Sequence, residues 1–282
     1  MHLPARSTRW GIASSLAFAM AVGAGALPPA SASSTAGISC AAKKPTRLVA
    51  QVIRTVGHDP DAFTQGLDVA GNTLYESDGG YTESTVRSMN AKTGVEFARI
   101  DLASQFFAEG LTVANGRLIQ LTWNEHTALL RNPATLAQTG TFTFTGEGWG
   151  LETLSKTRLL MSDGSSNLTE RDATTFRQLK KWRVTRVGGA ADLLNELDFD
   201  GRHIWANRWL TNEILRIDPR CHTVTGVVDV TALRQRAEEI AAQEYRQIDV
   251  PNGIAHIPGT SRFWVTGKYW PVMFEVQMRA AT

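Results

Sequence analysis

Glu109 stands at the head of an apolar strand in the stretch FFAEGLTVANGRLIQLTW, Phe106 to Trp123. Leu111 and Val113 follow it, then the turn pair Asn115-Gly116, then Leu118, Ile119 and Leu121, which reads as a tight hairpin. A carboxylate carried into a core is costly unless it is paired or faces a cavity. Four other stretches share the pattern: TQGLDVAGNTLYESDGG, GWGLETLSKTRLLMSDGS, LNELDFDGRHIWANRW and PNGIAHIPGTSRFWVTGKYW. Their anchors Leu67, Leu111, Leu151, Leu197 and Ile254 are 44, 40, 46 and 57 residues apart. Two places before each anchor stand Gln65, Glu109, Trp149, Asn195 and Asn252. Four polar side chains and an indole at equivalent positions would form a ring around a channel, with Glu109 facing the channel rather than the core.

The elements that would position such a ring follow from the same repeats. A third strand succeeds each hairpin, in STVRSMNAKTG, TALLRNPATLA, NLTERDATTF, EILRIDPRCHTVTG and VMFEVQM, most closing on an Asn or Asp turn. VEFARIDL, GTFTFTG and KKWRVTR supply fourth strands. Five units of four antiparallel strands predict an all-β fold, a five-bladed β-propeller. A sandwich has no reason to repeat its motif five times. One amphipathic helix is expected in TALRQRAEEIAAQEYRQI, Thr231 to Ile248, with Leu233, Ala237, Ile240, Ala241 and Tyr245 on one face and Asp229 or Thr231 as cap. Its role is to pack over one edge.

Residues 1–32 read as a secretory signal peptide: Arg6 and Arg9, an apolar run from Gly11 to Leu27, then Ala30-Ser31-Ala32. The remainder, 33–282, is expected to be a single domain, secreted or periplasmic, with no membrane attachment after cleavage. Loss of Arg6 and Arg9 brings the 29 basic residues level with the 27 acidic ones, which gives no electrostatic case for nucleic acid or anionic membrane. Cys40 and Cys221 are either one disulfide or two free thiols. Of Trp123, Trp149, Trp205, Trp209, Trp264 and Trp270, clustered at the hairpin ends, several are expected in the core and others to wall an apolar pocket. His58, His126, His203, His222 and His256 are scattered without zinc spacing and read as surface or turn residues.

The motifs HDPDAFTQGL, EGLT, LTW, GEGWGLE, MSDGSSNL, LNELDF, NGIA and VTGKYWP, in this order from His58 to Val276, resemble the plant and bacterial type of glutaminyl-peptide cyclotransferase. The resemblance implies a propeller enzyme that cyclises the N-terminal glutamine of a peptide or protein to pyroglutamate and releases ammonia. It makes Glu109 the catalytic acid and base. Phe63, Gln65, Trp123, Trp149, Asn195, Trp209 and Lys268 would line the substrate pocket. The chain departs from the family's pattern at YTESTVR and at Arg208 in NRW, both at the rim. No metal ligand and no catalytic cofactor are implied; Asp78 and Asp163 in their SDG turns leave a structural calcium open. A monomer is expected.

The chemistry asks for a group that takes a proton from the attacking amine and returns one to the departing nitrogen, which one carboxylate can do. Among tryptophans Glu109 would hold its proton more tightly, and the Lys268 ammonium would oppose this. Gln65, Asn195, the indole N–H groups and Lys268 are candidate oxyanion donors. Two other readings compete. In a calcium-dependent lactonase-like propeller Glu109, Asn195 and Asn252 would be metal ligands, which leaves GEGWGL and TGKYW unexplained. In a non-enzymatic binding propeller Glu109 would merely line the channel.

Overall fold

The computed structural model describes residues 40–281. The expected leader, residues 1–32, lies outside them. After an N-terminal strand β1 (Thr46–Gly57), the chain runs through successive four-stranded meanders. The first is β2 (Thr64–Ala70), β3 (Thr73–Asp78), β4 (Thr85–Asn90) and β5 (Glu96–Asp101); the second is β6 (Ala108–Ala114), β7 (Arg117–Thr122), β8 (Thr127–Arg131) and β9 (Gln138–Thr143). The third is β10 (Leu151–Ser155), β11 (Arg158–Ser162), β12 (Asn167–Asp172) and β13 (Gln178–Arg183). A short ribbon follows, β14 (Thr185–Arg186) with β15 (Gly189–Ala190), then β16 (Leu194–Phe199), β17 (Ile204–Arg208), β18 (Glu213–Asp218) and β19 (Thr223–Asp229). Helix α1 (Thr231–Ala242) precedes β20 (Pro251–His256), β21 (Arg262–Gly267) and β22 (Val272–Ala280).

The turns explain the meanders. Asn115 and Gly116 both take positive φ, 50° and 74°, as a type I′ turn requires. After the third strands, Asn90, Asn132 and Asp172 each accept backbone N–H groups two and three residues on, and Asp218 accepts that of Arg220. These side chains take the place of a backbone acceptor and turn the chain into its fourth strand.

The last meander has no fourth strand downstream. Its outer strand is β1, antiparallel to β22 from Leu48↔Ala280 to Gly57↔Val272, and also parallel to β19 from Thr46↔Gly226 to Val49↔Asp229. The fourth and fifth meanders therefore share one continuous sheet through β1. Each first strand lies against the next, β2 on β6, β6 on β10, β10 on β16 and β16 on β20, and β20 returns to β2.

Apolar clusters sit between neighbouring meanders. Tyr75, Val86 and Leu102 meet Leu111, Leu118 and Leu129; Leu67, Leu74 and Met89 meet Ala255, Trp264 and Met273. Burial of each such leucine contributes about 1.5–3 kcal/mol, so a meander is stabilised chiefly by its neighbours. Trp205, Trp264 and Trp270 belong to these cores.

Helix α1 is shorter than its periodicity suggests. Leu233, Ala237 and Ala241 are buried against the last two meanders, but Tyr245 lies beyond the helix with φ 57° and is 98% exposed. The chain turns off where Arg246 N–H donates to Ala241 O, closing the helix around a left-handed residue. Neither proposed cap is the N-cap, which is Val230; Asp229 instead accepts the Thr231 N–H. Cys40 and Cys221 form a disulfide that ties the N-terminal segment to the β18–β19 turn.

The first strands approach one another too closely for side chains at one level. A Cβ on Gly110 would lie 2.5 Å from Trp149 O and 2.6 Å from Leu151 N, both backbone atoms that cannot yield. Gly110→Ala should therefore lower stability by more than about 3 kcal/mol in urea unfolding. Gly116→Ala, with open space around it, should show only the left-handed penalty of about 1–2 kcal/mol.

Candidate active site

The ring residues owe their aim to irregular strand pairing. Pairing register shifts between Thr64 and Gly66, between Ala108 and Leu111, between Leu194 and Leu197, and between Pro251 and Ile254. These bulges fall on Gln65, Glu109, Asn195 and Asn252, where a regular strand would send alternate residues to opposite faces. Trp149 sits just before β10, with its N–H donating to Ser162 O. Ser162 Oγ accepts Gly150 N–H and donates to Asn195 O, fixing the Trp149 and Asn195 segments together.

One cavity of about 160 Å³ gathers Phe63, Gln65, Glu109, Trp123, Trp149, Asn195, Trp209 and Lys268. All eight residues that the family resemblance named line it, and Phe107 joins them. Phe107 was legible too, since it stands two places before Glu109 as Phe63 does before Gln65. Asn252 lies beneath the lining, donating to Gln65 Oε1 at 3.2 Å and to Thr64 O at 3.0 Å. The cavity is smaller than the ~300–1,000 Å³ clefts that take drug-sized ligands, and suits a single side chain. A larger open groove of about 1050 Å³ between β1 and α1 includes none of the ring.

Glu109 is buried, 4% exposed. Gln65 Nε2 donates to its Oε1 at 2.9 Å, while its Oε2 has no partner among the described residues, nor has Asn195 Oδ1. Burial raises the Glu109 carboxyl well above the usual carboxylate range; the Lys268 ammonium opposes this, and the charges of Glu147 and Glu125 add to it. Desolvation thus prevails over the lysine. Burial likewise pushes the Lys268 ammonium down, against the attraction of Glu109 and Asp249. Lys268 Nζ lies 4.1 Å from the centre of the Phe63 ring, a cation–π contact.

The aromatic walls are interlocked. Phe107 packs edge-on to Trp123 at 5.6 Å and to Phe63 at 6.2 Å, and Trp149 packs edge-on to Trp209 at 5.3 Å. The indole N–H groups of Trp123 and Trp149 both donate to Glu147 Oε2, each at 2.8 Å. They are therefore not free to serve as oxyanion donors, contrary to the expectation from sequence. Arg208 does not line the cavity; it pairs with Asp192 and Glu213.

His58 departs from its expected surface position. It is buried, its Nε2 2.9 Å from Glu76 Oε1, in a network with Arg87 that also holds Thr64, next to Gln65. His126 and His222 are turn residues with φ 54°. Asp163 is engaged by Ser165 and Lys181, and Asp78 by Thr85 and Arg87.

Comparison with known proteins gives a consistent result. A family model described as Glutamine cyclotransferase matches residues 24–278. A glutaminyl-peptide cyclotransferase of Arabidopsis thaliana is 36% identical over 234 residues, 82% of this chain and 72% of that protein. The crystal structure of Myxococcus xanthus glutaminyl cyclase matches with a TM-score of 0.77 at 35% identity, covering 85% of this chain and 100% of that one.

The burial of Glu109 has a signature in stability. Below the unfolded carboxyl range both states are protonated, and the group adds no pH-dependent cost. As pH rises through that range the unfolded state releases its proton while the native carboxyl, raised by burial, holds on. Stability then falls with pH. Glu109→Gln, which keeps an oxygen for Gln65, should raise Tm at pH 7–8 over the wild type, and calorimetry should show this gain vanish toward pH 4.

Proposed function

The chain belongs to the glutamine cyclotransferase family, and from that premise we propose that it converts the N-terminal glutamine of peptides and proteins to pyroglutamate, releasing ammonia, with Glu109 as acid and base. It is an acyltransferase of the glutaminyl-peptide cyclotransferase type. The observation that carries the role of Glu109 is its unpaired, buried Oε2 in a cavity that also holds the unpaired Asn195 Oδ1 and the Lys268 ammonium. The Glu109 oxygen, an acceptor when the carboxyl is ionised and a donor when it is protonated, the Asn195 acceptor and one cation complement glutamine, which brings amine and amide N–H groups and one carbonyl oxygen.

In this reading the α-amine attacks the γ-carboxamide carbon, and a C–N bond forms within the substrate. In its ionised form Glu109 takes the proton from the attacking nitrogen and delivers it to the amide nitrogen, whose bond to carbon breaks as ammonia leaves. The developing oxyanion is met by Lys268 and by carboxamide hydrogens of Gln65 or Asn195; loss of one such donor costs about 3 kcal/mol of barrier. Phe63, Phe107, Trp123, Trp149 and Trp209 hold the side chain folded on itself, so that amine and carboxamide meet. Nucleophile and leaving group both lie in the substrate, so the step calls for no enzyme nucleophile, and in this reading Lys268 and the carboxamides meet the oxyanion without a metal.

We read the five meanders, closed through β1, as the blades of a propeller whose first strands surround the site. The disulfide favours an exported protein, secreted or periplasmic, acting as a monomer. A structural calcium would lie outside the chemistry.

The purified protein should release ammonia from Gln-initiated dipeptides, and EDTA should leave the rate unchanged. Glu109→Gln should lower kcat by about a hundredfold or more. Absence of release from folded wild type would overturn the assignment, and loss with EDTA would overturn the metal-free step.

A further inference from the structure

Glu147 takes no part in the proton transfers above, yet one of its oxygens is bonded to two walls of the cavity. Its Oε2 accepts the Trp123 and Trp149 indole N–H groups, each at 2.8 Å. Each indole passes its position on: Trp123 to Phe107 and Trp149 to Trp209, both edge-on. Four aromatic lining residues are thus tied through a single atom.

The segment that carries the carboxylate is closely packed at Gly148, where a Cβ would lie 2.6 Å from Thr122 O. Gly148 N–H donates to Trp123 O at 3.0 Å, so the same segment also grips the backbone of one tryptophan. Trp149 lies against Gly164, whose Cβ would meet the indole at 2.6 Å. That contact limits how near the ring comes to Gly164 but does not set its rotation within its plane. A hydrogen bond to Nε1 does.

From this arrangement we propose that Glu147 is a positioning residue: its Oε2 sets the spacing of Trp123 and Trp149, and hence the width of the slot in which glutamine folds. The slot's use rests on the cyclase reading; the clamp itself does not. Geometry and charge can be separated. A glutamine at 147 keeps a carbonyl acceptor without the charge, an aspartate keeps the charge but draws the oxygen back by one methylene, and an alanine removes both.

The test measures ammonia release from a Gln-initiated dipeptide, tryptophan emission of the substrate-free protein, and the urea midpoint. Glu147→Ala should raise KM about tenfold or more, with a smaller change in kcat, and should alter the emission before any substrate is added. Glu147→Asp should raise KM in the same sense without moving the pH profile, and it keeps the proposal open to test should the alanine protein fail to fold. Glu147→Gln should hold KM within about threefold of wild type. Because the Glu147 charge helps raise Glu109, the limb of the kcat/KM profile that reports Glu109 should move to lower pH in the glutamine variant. Wild-type KM and emission in Glu147→Ala or Glu147→Asp would overturn the proposal, as would equal impairment of Glu147→Gln and Glu147→Ala. If the wild type released no ammonia, the cyclase reading would fail alone, and the substrate-free emission would still decide the clamp.

Discussion

The close approach of neighbouring first strands underlies the rest of this molecule. Gly110 N–H donates to Trp149 O at 2.6 Å, and Gly66 and Gly150 admit backbone atoms of the next strand where any Cβ would collide. At that separation side chains of adjacent bulges reach each other, so Gln65 bonds Glu109 on one side and Asn252 on the other. The fourth meander solves the same problem differently. It carries Glu196 in place of glycine, and its carboxylate reaches across to accept the N–H groups of Leu67 and Ile254. A ring of separate strands is thereby joined by main-chain and side-chain hydrogen bonds as well as by the apolar clusters farther out.

That framework lets the site hold groups that would otherwise relax away. A buried carboxyl with an unpaired oxygen is unfavourable on its own, and so is a buried ammonium. Here both are imposed by strands that the surrounding meanders keep in place. The result is an acid whose proton is held more tightly than usual beside a lysine whose proton is held less tightly, both because water is excluded. Such displaced titrations belong where proton transfer is needed near neutral pH.

Much of this was legible because repetition turns a single position into five. The common offset from the anchor leucines brought out Gln65, Glu109, Trp149, Asn195 and Asn252 without reference to any other protein. Phe63 and Lys268 came from the resemblance alone; Trp123 and Trp209 were candidates by their place at the hairpin ends, but only the resemblance separated them from the core Trp264. The pairing of β1 was beyond reach. A parallel partnership with β19 and an antiparallel one with β22 leave no trace in the strand's own residues, most of which face solvent. The end of α1 was misplaced because apolar spacing continues past Ala242 while the backbone does not. His58 was misread because its burial depends on Glu76 and Arg87, which come from other strands.

The place of β1 also bears on how the chain reaches this state. Its antiparallel partner β22, with Gly57 facing Val272, and its parallel partner β19 are both synthesised long after it. Until β19 emerges, β1 therefore has neither of its strand neighbours. Partners so far apart in the chain join slowly, since a long loop must close before any contact rewards it. A protein of this design spends its most vulnerable interval with an unsatisfied edge at each end, and an early interruption of translation would leave a row of meanders without a circle.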